Sequence, residues 1–202
     1  MPPTDLPSPT LPLAARAVAV ALAVLASGCA HEVRDAVRPV ATAPTCSGFL
    51  DEGRRCQVLV HADRMATSTS LVVVKGQRYQ VQVAPGQKWC DAQRCSTPPH
   101  GDAGSAVMNL LRRFRRDDAD WFTLMAAVVR DKEGRQRIGH GQPVETEPVV
   151  EVQHTGLLAL YPNDVPGFYW NNRGDIVACI ERLAPGAAPA SPASASGAFC
   201  AP

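Results

Sequence analysis

The chain has 202 residues, of which 19% are charged, and its formal net charge at pH 7 is +1. This balance lacks the strong basic excess that a nucleic-acid-binding protein usually carries, so we expect no nucleic-acid partner. The 18 prolines and 15 glycines predict many turns. Composition therefore favours one medium-sized all-β domain with irregular ends.

The N-terminus has the features of an export signal. An apolar run of about ten residues, AVAVALAVLA at 17–26, follows Arg16; it is too short to span a bilayer and has the length of a secretory hydrophobic region. It leads into LASGC, which resembles a bacterial lipobox with Leu25 one place early. We therefore expect residues 1–28 to be a signal peptide and Cys29 to be lipidated. Plain secretion and an uncleaved anchor are the alternatives.

The cysteine count agrees with export to the bacterial cell envelope, in the outer membrane or the periplasm. Seven cysteines are present, and six remain when the lipid-bearing Cys29 is set aside. An even number in an oxidising compartment predicts disulfides, although sequence alone leaves the connectivity open. Short-range pairing favours Cys46–Cys56, Cys90–Cys95 and Cys179–Cys200.

The folded part is expected at 54–184, between a proline-interrupted spacer at 30–53 and an Ala/Ser/Pro-rich tail at 185–202. RYQVQV at 78–83 alternates strictly, which predicts a half-buried strand. WFTLMAAVV at 121–129 is a continuous apolar run suited to a central strand. Together with similar short runs, these patterns predict a jelly-roll-like β-sandwich of about eight strands.

One segment has a helical pattern instead. In 105–116 the apolar residues Val107, Leu110, Leu111 and Phe114 recur at helical spacing, which predicts an inserted amphipathic helix of about three turns. Its arginine-rich opposite face is interpreted as a solvated surface rather than a phosphate-binding patch.

The segment YPNDVPGFYWNN at 161–172 is rich in short oxygen-bearing side chains. Calcium prefers such oxygens, together with backbone carbonyls. Asp164, Asn171 and Asn172 supply three side-chain ligands, and a tight turn at 165–167 would let the Phe168 carbonyl join them. The alternative is that Asp and Asn occur here because turns favour them.

The order of these residues adds a family resemblance. NDVPGFYWNN resembles the N-D-V-P-G-x-Y-x-N-N signature of the PA-I galactophilic lectins, calcium-dependent galactose-binding jelly rolls, at eight fixed positions. The segments 57–89 and 156–183 resemble the opening strands and the closing hairpin of that family. The resemblance implies calcium as cofactor, held by Asp164, Asn171, Asn172 and the Phe168 carbonyl, with the vicinal hydroxyls of a carbohydrate completing the calcium shell.

The sequence departs from this family at three places. The region APGQKWCDAQRC at 84–95 lacks the tyrosine that supplies the family with a further carbonyl and a sugar contact. The His-Pro-x-Gln sugar contacts are absent, and His100 and Asp102 are the nearest substitutes. Trp170 replaces a glycine beside the site, where it either stacks on a sugar or blocks it.

No pattern indicates catalysis. The histidines lack metal-ligand spacing, and no G-x-S-x-G motif occurs. We therefore expect a membrane-anchored, calcium-dependent carbohydrate-binding protein that is not an enzyme. The alternative hypothesis is an envelope structural or interaction protein that keeps the sandwich without sugar binding.

Overall fold

The computed structural model describes residues 44–84, 86–132, 135–145, 148–189 and 200. Within these ranges the chain is mostly antiparallel β-strand with one short α-helix, α1 (Ala106–Leu110), and 3-10 turns at Arg112–Phe114 and Tyr169–Asn171. The strands are, in chain order, β1 (Arg55–His61), β2 (Thr67–Val73), β3 (Arg78–Val83), β4 (Trp89–Asp91), β5 (Arg94–Ser96), β6 (Leu124–Lys132), β7 (Arg135–Ile138), β8 (Gln142–Pro143), β9 (Val149–Glu151), β10 (Gly156–Pro162), β11 (Asn172–Arg173) and β12 (Asp175–Leu183).

Two sheets enclose the core. One has the strand order β1-β12-β3-β9, and the other has the order β2-β10-β6-β7, with β8 also paired to β6. A single cluster of buried side chains draws on both, with Val58 and Ile180 from the first sheet and Leu71 and Leu160 from the second. Each such side chain contributes about 1.5–3 kcal/mol on burial. The predicted all-β sandwich is therefore confirmed.

The alternation in β3 agrees with the sequence on one face only. Tyr79 and Val81 lie in the core, as their spacing predicts. Gln80, on the opposite face, is also buried, with 3% exposure. The strand lies between β12 and β9 and is covered more fully than a half-buried strand would be.

The strands that flank the oxygen-rich segment do not form the closing hairpin that the family resemblance implies. β10 pairs with β2 and β6, whereas β12 pairs with β1 and β3 in the other sheet. That expectation is wrong, because each strand completes a different face of the sandwich. The intervening residues 163–174 therefore cross from one sheet to the other.

A small third sheet of order β11-β4-β5 lies beside this crossing. The Cys90–Cys95 disulfide joins β4 to β5, and the structure also contains the expected Cys46–Cys56 and Cys179–Cys200 disulfides. All three pairings are confirmed. Disulfides persist in oxidising compartments, which indicates an extracytoplasmic protein.

The inserted helix is present but differs from the prediction. α1 spans only 106–110, and Ser105 caps its N-terminus by accepting a hydrogen bond from the Met108 backbone N–H at 3.2 Å. The predicted buried face is wrong: Val107 is 73% exposed, Leu110 77% and Phe114 39%. Helical spacing identified the apolar side chains, but no neighbouring element covers them in the part of the chain that the structure describes.

The described ends contact the sandwich. In the predicted spacer, Thr45 bridges to Gln57 and Gly48 to Leu71, and Cys46 is buried. In the predicted tail, Cys200 is joined to β12 through its disulfide. The signal sequence and the lipid-bearing Cys29 lie outside the described residues. Across the ranges given above, no helix has the length and apolar character needed to cross a bilayer.

Candidate functional site

The crossing segment 163–174 begins with the predicted tight turn. The Phe168 backbone N–H donates to the Val165 carbonyl at 3.0 Å, which closes the turn around Pro166 and Gly167. Gly167 adopts φ +97°, a conformation that an L side chain would disfavour. This turn is confirmed, and it folds the two ends of the segment toward each other.

Tyr169 holds the turn through hydrogen bonds from its hydroxyl to the preceding backbone. Its hydroxyl donates to the Pro162 carbonyl at 2.8 Å and lies 3.4 Å from the Asp164 carbonyl. The side chain is 5% exposed, so its burial also anchors the segment to the sandwich. The segment therefore has a fixed conformation in which Asp164 and Asn172 can meet.

Asn163 has a structural role that separates it from the other asparagines. Its Nδ2 donates to the carbonyls of Arg116, Ala119 and Asp120 at 2.9, 3.3 and 3.0 Å, and its Oδ1 accepts from the Arg116 N–H at 3.2 Å. Both polar atoms of its side chain bond the backbone of 116–120, the segment that follows the 3-10 turn at Arg112–Phe114. Asn163 is therefore a packing residue rather than a ligand.

Asp164 and Asn172 are in direct contact. Asn172 Nδ2 donates to Asp164 Oδ2 at 2.8 Å and to the Ala62 carbonyl at 3.1 Å, while the Val165 N–H donates to Asp164 Oδ1 at 2.6 Å. Each of the two site side chains is 6% exposed. Two of the four predicted cation ligands are therefore buried and hydrogen-bonded to each other.

Asn171 brings in a carboxylate that the sequence analysis did not identify. Its Nδ2 donates to Asp91 Oδ1 at 2.6 Å. In the pairing of β4 with β11, Asp91 lies opposite Asn172. We call the side chains of Asp91, Asp164, Asn171 and Asn172 the oxygen cluster. Asp91 lies in the region 84–95, where the tyrosine of the lectin family is missing. An acidic residue in that region was the sequence feature that could have identified Asp91 as a candidate ligand.

The oxygen cluster has two orphaned acceptors. Oδ1 of Asn171 and Oδ1 of Asn172 are both buried and have no hydrogen-bond partner. A buried polar atom without a partner costs roughly 1–3 kcal/mol, so native proteins rarely retain one without a reason. Two unpartnered amide oxygens, together with the buried carboxylate of Asp164 and the half-buried carboxylate of Asp91, fit the donor set that a hard cation such as Ca²⁺ uses.

The electrostatics of the cluster also fit a cation. Burial raises the pKa of Asp164 to about 6, against the opposing hydrogen bonds from Asn172 and the Val165 N–H, and the Asp91 charge raises it further. Burial likewise raises the pKa of Asp91, although the Asn171 hydrogen bond and Arg94 oppose this. A cation placed beside both carboxylates would favour their ionised forms and offset the cost of their burial.

The remaining predicted site residues are more dispersed. The Phe168 carbonyl accepts from the Asn171 N–H at 3.3 Å within the 3-10 turn. Trp170 is 78% exposed, so it does not pack into the core. His100 pairs with Glu145, with 2.8 Å between Nδ1 and Oε1, and Asp102 pairs with Arg94 at 2.5 Å. The structure records no contact of His100 with the oxygen cluster.

A cavity of about 590 Å³ lies away from this cluster and is lined by none of its residues. It opens near β8 and β9, where His140, His154, Arg130 and Glu151 line it. In the part of the chain that the structure describes, no three His, Cys, Asp or Glu side chains are grouped to hold a metal ion. The oxygen cluster has only two carboxylates, so any cation there would depend on the asparagine oxygens.

The chain is similar to solved structures but to no family model and no curated protein. Among solved structures, the chain is similar to a structure described as "EclA N-terminal domain; PllA-like lectin", with 15% sequence identity and a TM-score of 0.37. The match covers 62% of this chain and 94% of that one.

Proposed function

We propose that this protein is an extracytoplasmic, calcium-dependent carbohydrate-binding protein whose site is the oxygen cluster at the sheet crossing. The observation that supports this most directly is the pair of buried, unpartnered oxygens, Asn171 Oδ1 and Asn172 Oδ1. The lectin signature that includes these two residues supports the same proposal from the sequence side.

The proposed calcium ligands are Asp164, Asn171 and Asn172 through their side chains and Phe168 through its carbonyl. Asp164 supplies negative charge from a buried position, where ionisation is disfavoured without a cation. The two asparagines use their amide N–H groups to bond carboxylates, which leaves their oxygens free to coordinate. The tight turn at 165–167 keeps these donors in place before any ligand arrives.

A bound calcium ion would supply coordination positions that sugar hydroxyls can fill. Trp170, which is 78% exposed and next to Asn171, provides an aromatic surface for the apolar face of a sugar ring. The imidazole of His100, with 66% side-chain exposure, is a candidate further hydrogen-bonding group for a larger glycan. We propose no catalytic role and no nucleic-acid partner for this site.

The proposal includes a lipid anchor at Cys29 that holds the domain at a bacterial envelope membrane. Fourteen residues lie between Cys29 and Pro44, where the described domain begins. If extended, this segment would span at most about 50 Å, enough to hold the sandwich clear of a lipid headgroup layer. Labelling with a radioactive fatty acid, compared between wild type and Cys29→Ser, tests the anchor independently of sugar binding.

The function is tested with the full chain, purified in a detergent without a sugar headgroup. Binding to a glycan array is measured in millimolar calcium and again in chelator. We expect glycan signals that need calcium and that disappear in Asp164→Ala. Calcium should also raise the melting temperature, because a ligand bound only by the folded state stabilises it by mass action. An array without any calcium-dependent signal would reject sugar binding.

A second candidate function, an envelope interaction protein, is favoured by the exposed apolar residues of the insert. Val107 and Leu110 are each more than 70% exposed, which is unusual for two neighbouring aliphatic side chains on α1. If calcium and chelator leave the melting temperature unchanged while Val107→Ser and Leu110→Ser abolish recruitment of an envelope partner, this candidate replaces the first.

A further inference from the structure

Asp91 contacts the two asparagines of the oxygen cluster through both its side chain and its backbone. Its Oδ1 accepts from Asn171 Nδ2, and its residue pair in the β4–β11 ladder is Asn172. The Ala92 N–H also donates to the Asn171 carbonyl at 3.1 Å. Asp91 is therefore adjacent to both asparagines that carry the unpartnered oxygens.

The cluster holds two carboxylates that lie near arginines, Asp91 near Arg94 and Asp164 near Arg115, but not within ion-pair distance of them. Within the described residues neither Asp91 nor Asp164 forms an ion pair; Arg94, which lies near Asp91, is paired with Asp102 at 2.5 Å. An ion with two positive charges would balance both carboxylates. Calcium affinity rises with the number of charged ligands, so Asp91 would strengthen a site that Asp164 alone would make weak.

An independent observation points to a ligand at the same place. Asn172 is only 6% exposed, and its Oδ1 has no partner although its Nδ2 is fully engaged with Asp164 and Ala62. The buried, unpartnered oxygen next to the acidic pair is the feature that a coordinated cation would explain.

The position of Asp91 depends on a short hairpin. β4 and β5 pair in register, with Cys90 opposite Cys95 and Asp91 opposite Arg94, so the loop contains only Ala92 and Gln93. Tight two-residue loops favour Asn and Gly, yet Ala92 here adopts φ +49°. The loop sequence does not favour this turn, and the adjacent Cys90–Cys95 disulfide adds a covalent restraint on the hairpin to the pairing of β4 with β5 and β11.

We propose that Asp91 is a second carboxylate ligand of the cation and that the Cys90–Cys95 disulfide positions it. This inference rests on the proposed calcium site and adds a ligand to it. Asp91 takes the place of the carbonyl that the missing tyrosine would have supplied. The disulfide acts only through Asp91 and touches no cation itself.

The test is calorimetric titration of the full chain with calcium. The variants are Asp91→Asn, the double variant Cys90→Ser/Cys95→Ser, and the triple variant that combines them. Asp63→Asn is the matched control, because Asp63 neighbours Ala62 but is 59% exposed and lies 3.9 Å from Arg64 rather than in the cluster. We expect Asp91→Asn and the double variant each to weaken calcium affinity by about tenfold or more. Asp63→Asn should bind like the wild type.

The triple variant separates positioning from general loosening. If the disulfide acts through Asp91, removing it from Asp91→Asn adds no further loss, and the triple variant binds like the single variant. Additive losses would overturn the positioning role. Wild-type affinity in Asp91→Asn would overturn the ligand assignment while the calcium site stands. A wild-type protein without calcium binding would instead reject the proposed function.

Discussion

Asn172 lies opposite Asp91 in the β4–β11 pair and donates from its own side chain to Asp164 Oδ2 at 2.8 Å. One asparagine thus joins two acidic residues that are 73 positions apart in the sequence. This arrangement depends on the short strand β11. Its first residue, Asn172, lies within the crossing segment and also pairs with β4 in the small third sheet.

Asp164→Asn is expected to have effects of opposite sign with and without calcium. Burial raises the pKa of Asp164 to about 6, so its ionised form at pH 7 costs folding free energy. The neutral amide of the variant removes that cost, but its single oxygen can accept from only one of the two donors, the Val165 N–H or Asn172 Nδ2. Calcium-free Asp164→Asn should therefore be about 1–2 kcal/mol more stable than wild type at pH 7. It should gain nothing from calcium.

Urea unfolding at pH 7, in chelator and in calcium, measures both effects. A calcium-free variant that is clearly less stable than wild type would contradict the account of a buried, costly charge.

Asn163→Ala and Asn171→Ala should separate packing from ligation. The Asn163 side chain makes four hydrogen bonds to the backbone of 116–120, so its loss should cost about 2–4 kcal/mol while calcium still stabilises the variant. Asn171 is half-buried and bonds Asp91 through one amide hydrogen, so its loss should cost less stability but remove the calcium response. Thermal melts with and without calcium check this; a reversed pattern would exchange the two roles.

The exposed residues of the insert should tolerate polar substitution. Val107→Ser and Leu110→Ser should each change stability by no more than about 0.5 kcal/mol, because neither side chain is in the core. Leu160→Ala is the positive control and should cost about 2–5 kcal/mol, since Leu160 is fully buried. If Val107→Ser lowered the free energy of unfolding as much as Leu160→Ala does, Val107 would be buried, as the sequence predicts.

The three tyrosines should all resist ionisation in the folded protein. Burial raises the pKa of Tyr79, raises that of Tyr161 to about 12, and raises that of Tyr169 well above its usual value. The neutral phenols stabilise the fold fully below pH 10. That contribution is lost as pH rises from 10 through about 12, because the unfolded chain ionises first.

Near-ultraviolet absorbance of phenolate during an alkaline titration measures this directly. We expect less phenolate at pH 10 than three fully exposed tyrosines would give, and a joint rise on unfolding. Tyr161→Phe should remove on the order of 2–3 kcal/mol of the alkaline loss of stability. A phenolate that appears reversibly near pH 10 would contradict the packing of these side chains.

The sequence predicted those features that depend on local pattern. The alternation around Tyr79 and Val81 identified a core strand, and spacing along the chain identified the three disulfide pairs. The tight turn at 165–167 follows from Pro and Gly chemistry alone. These features need only neighbouring residues, so they can be read without knowledge of the tertiary fold.

Other features depend on pairing between distant segments. Asp91 and Asn171 are separated by 80 positions, and only the β4–β11 ladder brings them together. The placement of β10 and β12 in different sheets likewise has no local signature. Helical spacing around Leu110 marked an apolar face, but spacing does not show whether another element covers it.

The central claim is that the oxygens of Asp164, Asn171 and Asn172 coordinate one calcium ion. A crystal structure of the protein grown in millimolar calcium tests it most directly, through the anomalous density of the ion. The account predicts one ion bonded to Asn171 Oδ1, Asn172 Oδ1 and Asp164 at about 2.3–2.6 Å. A structure in which calcium is absent and these side chains bond only to one another would contradict it.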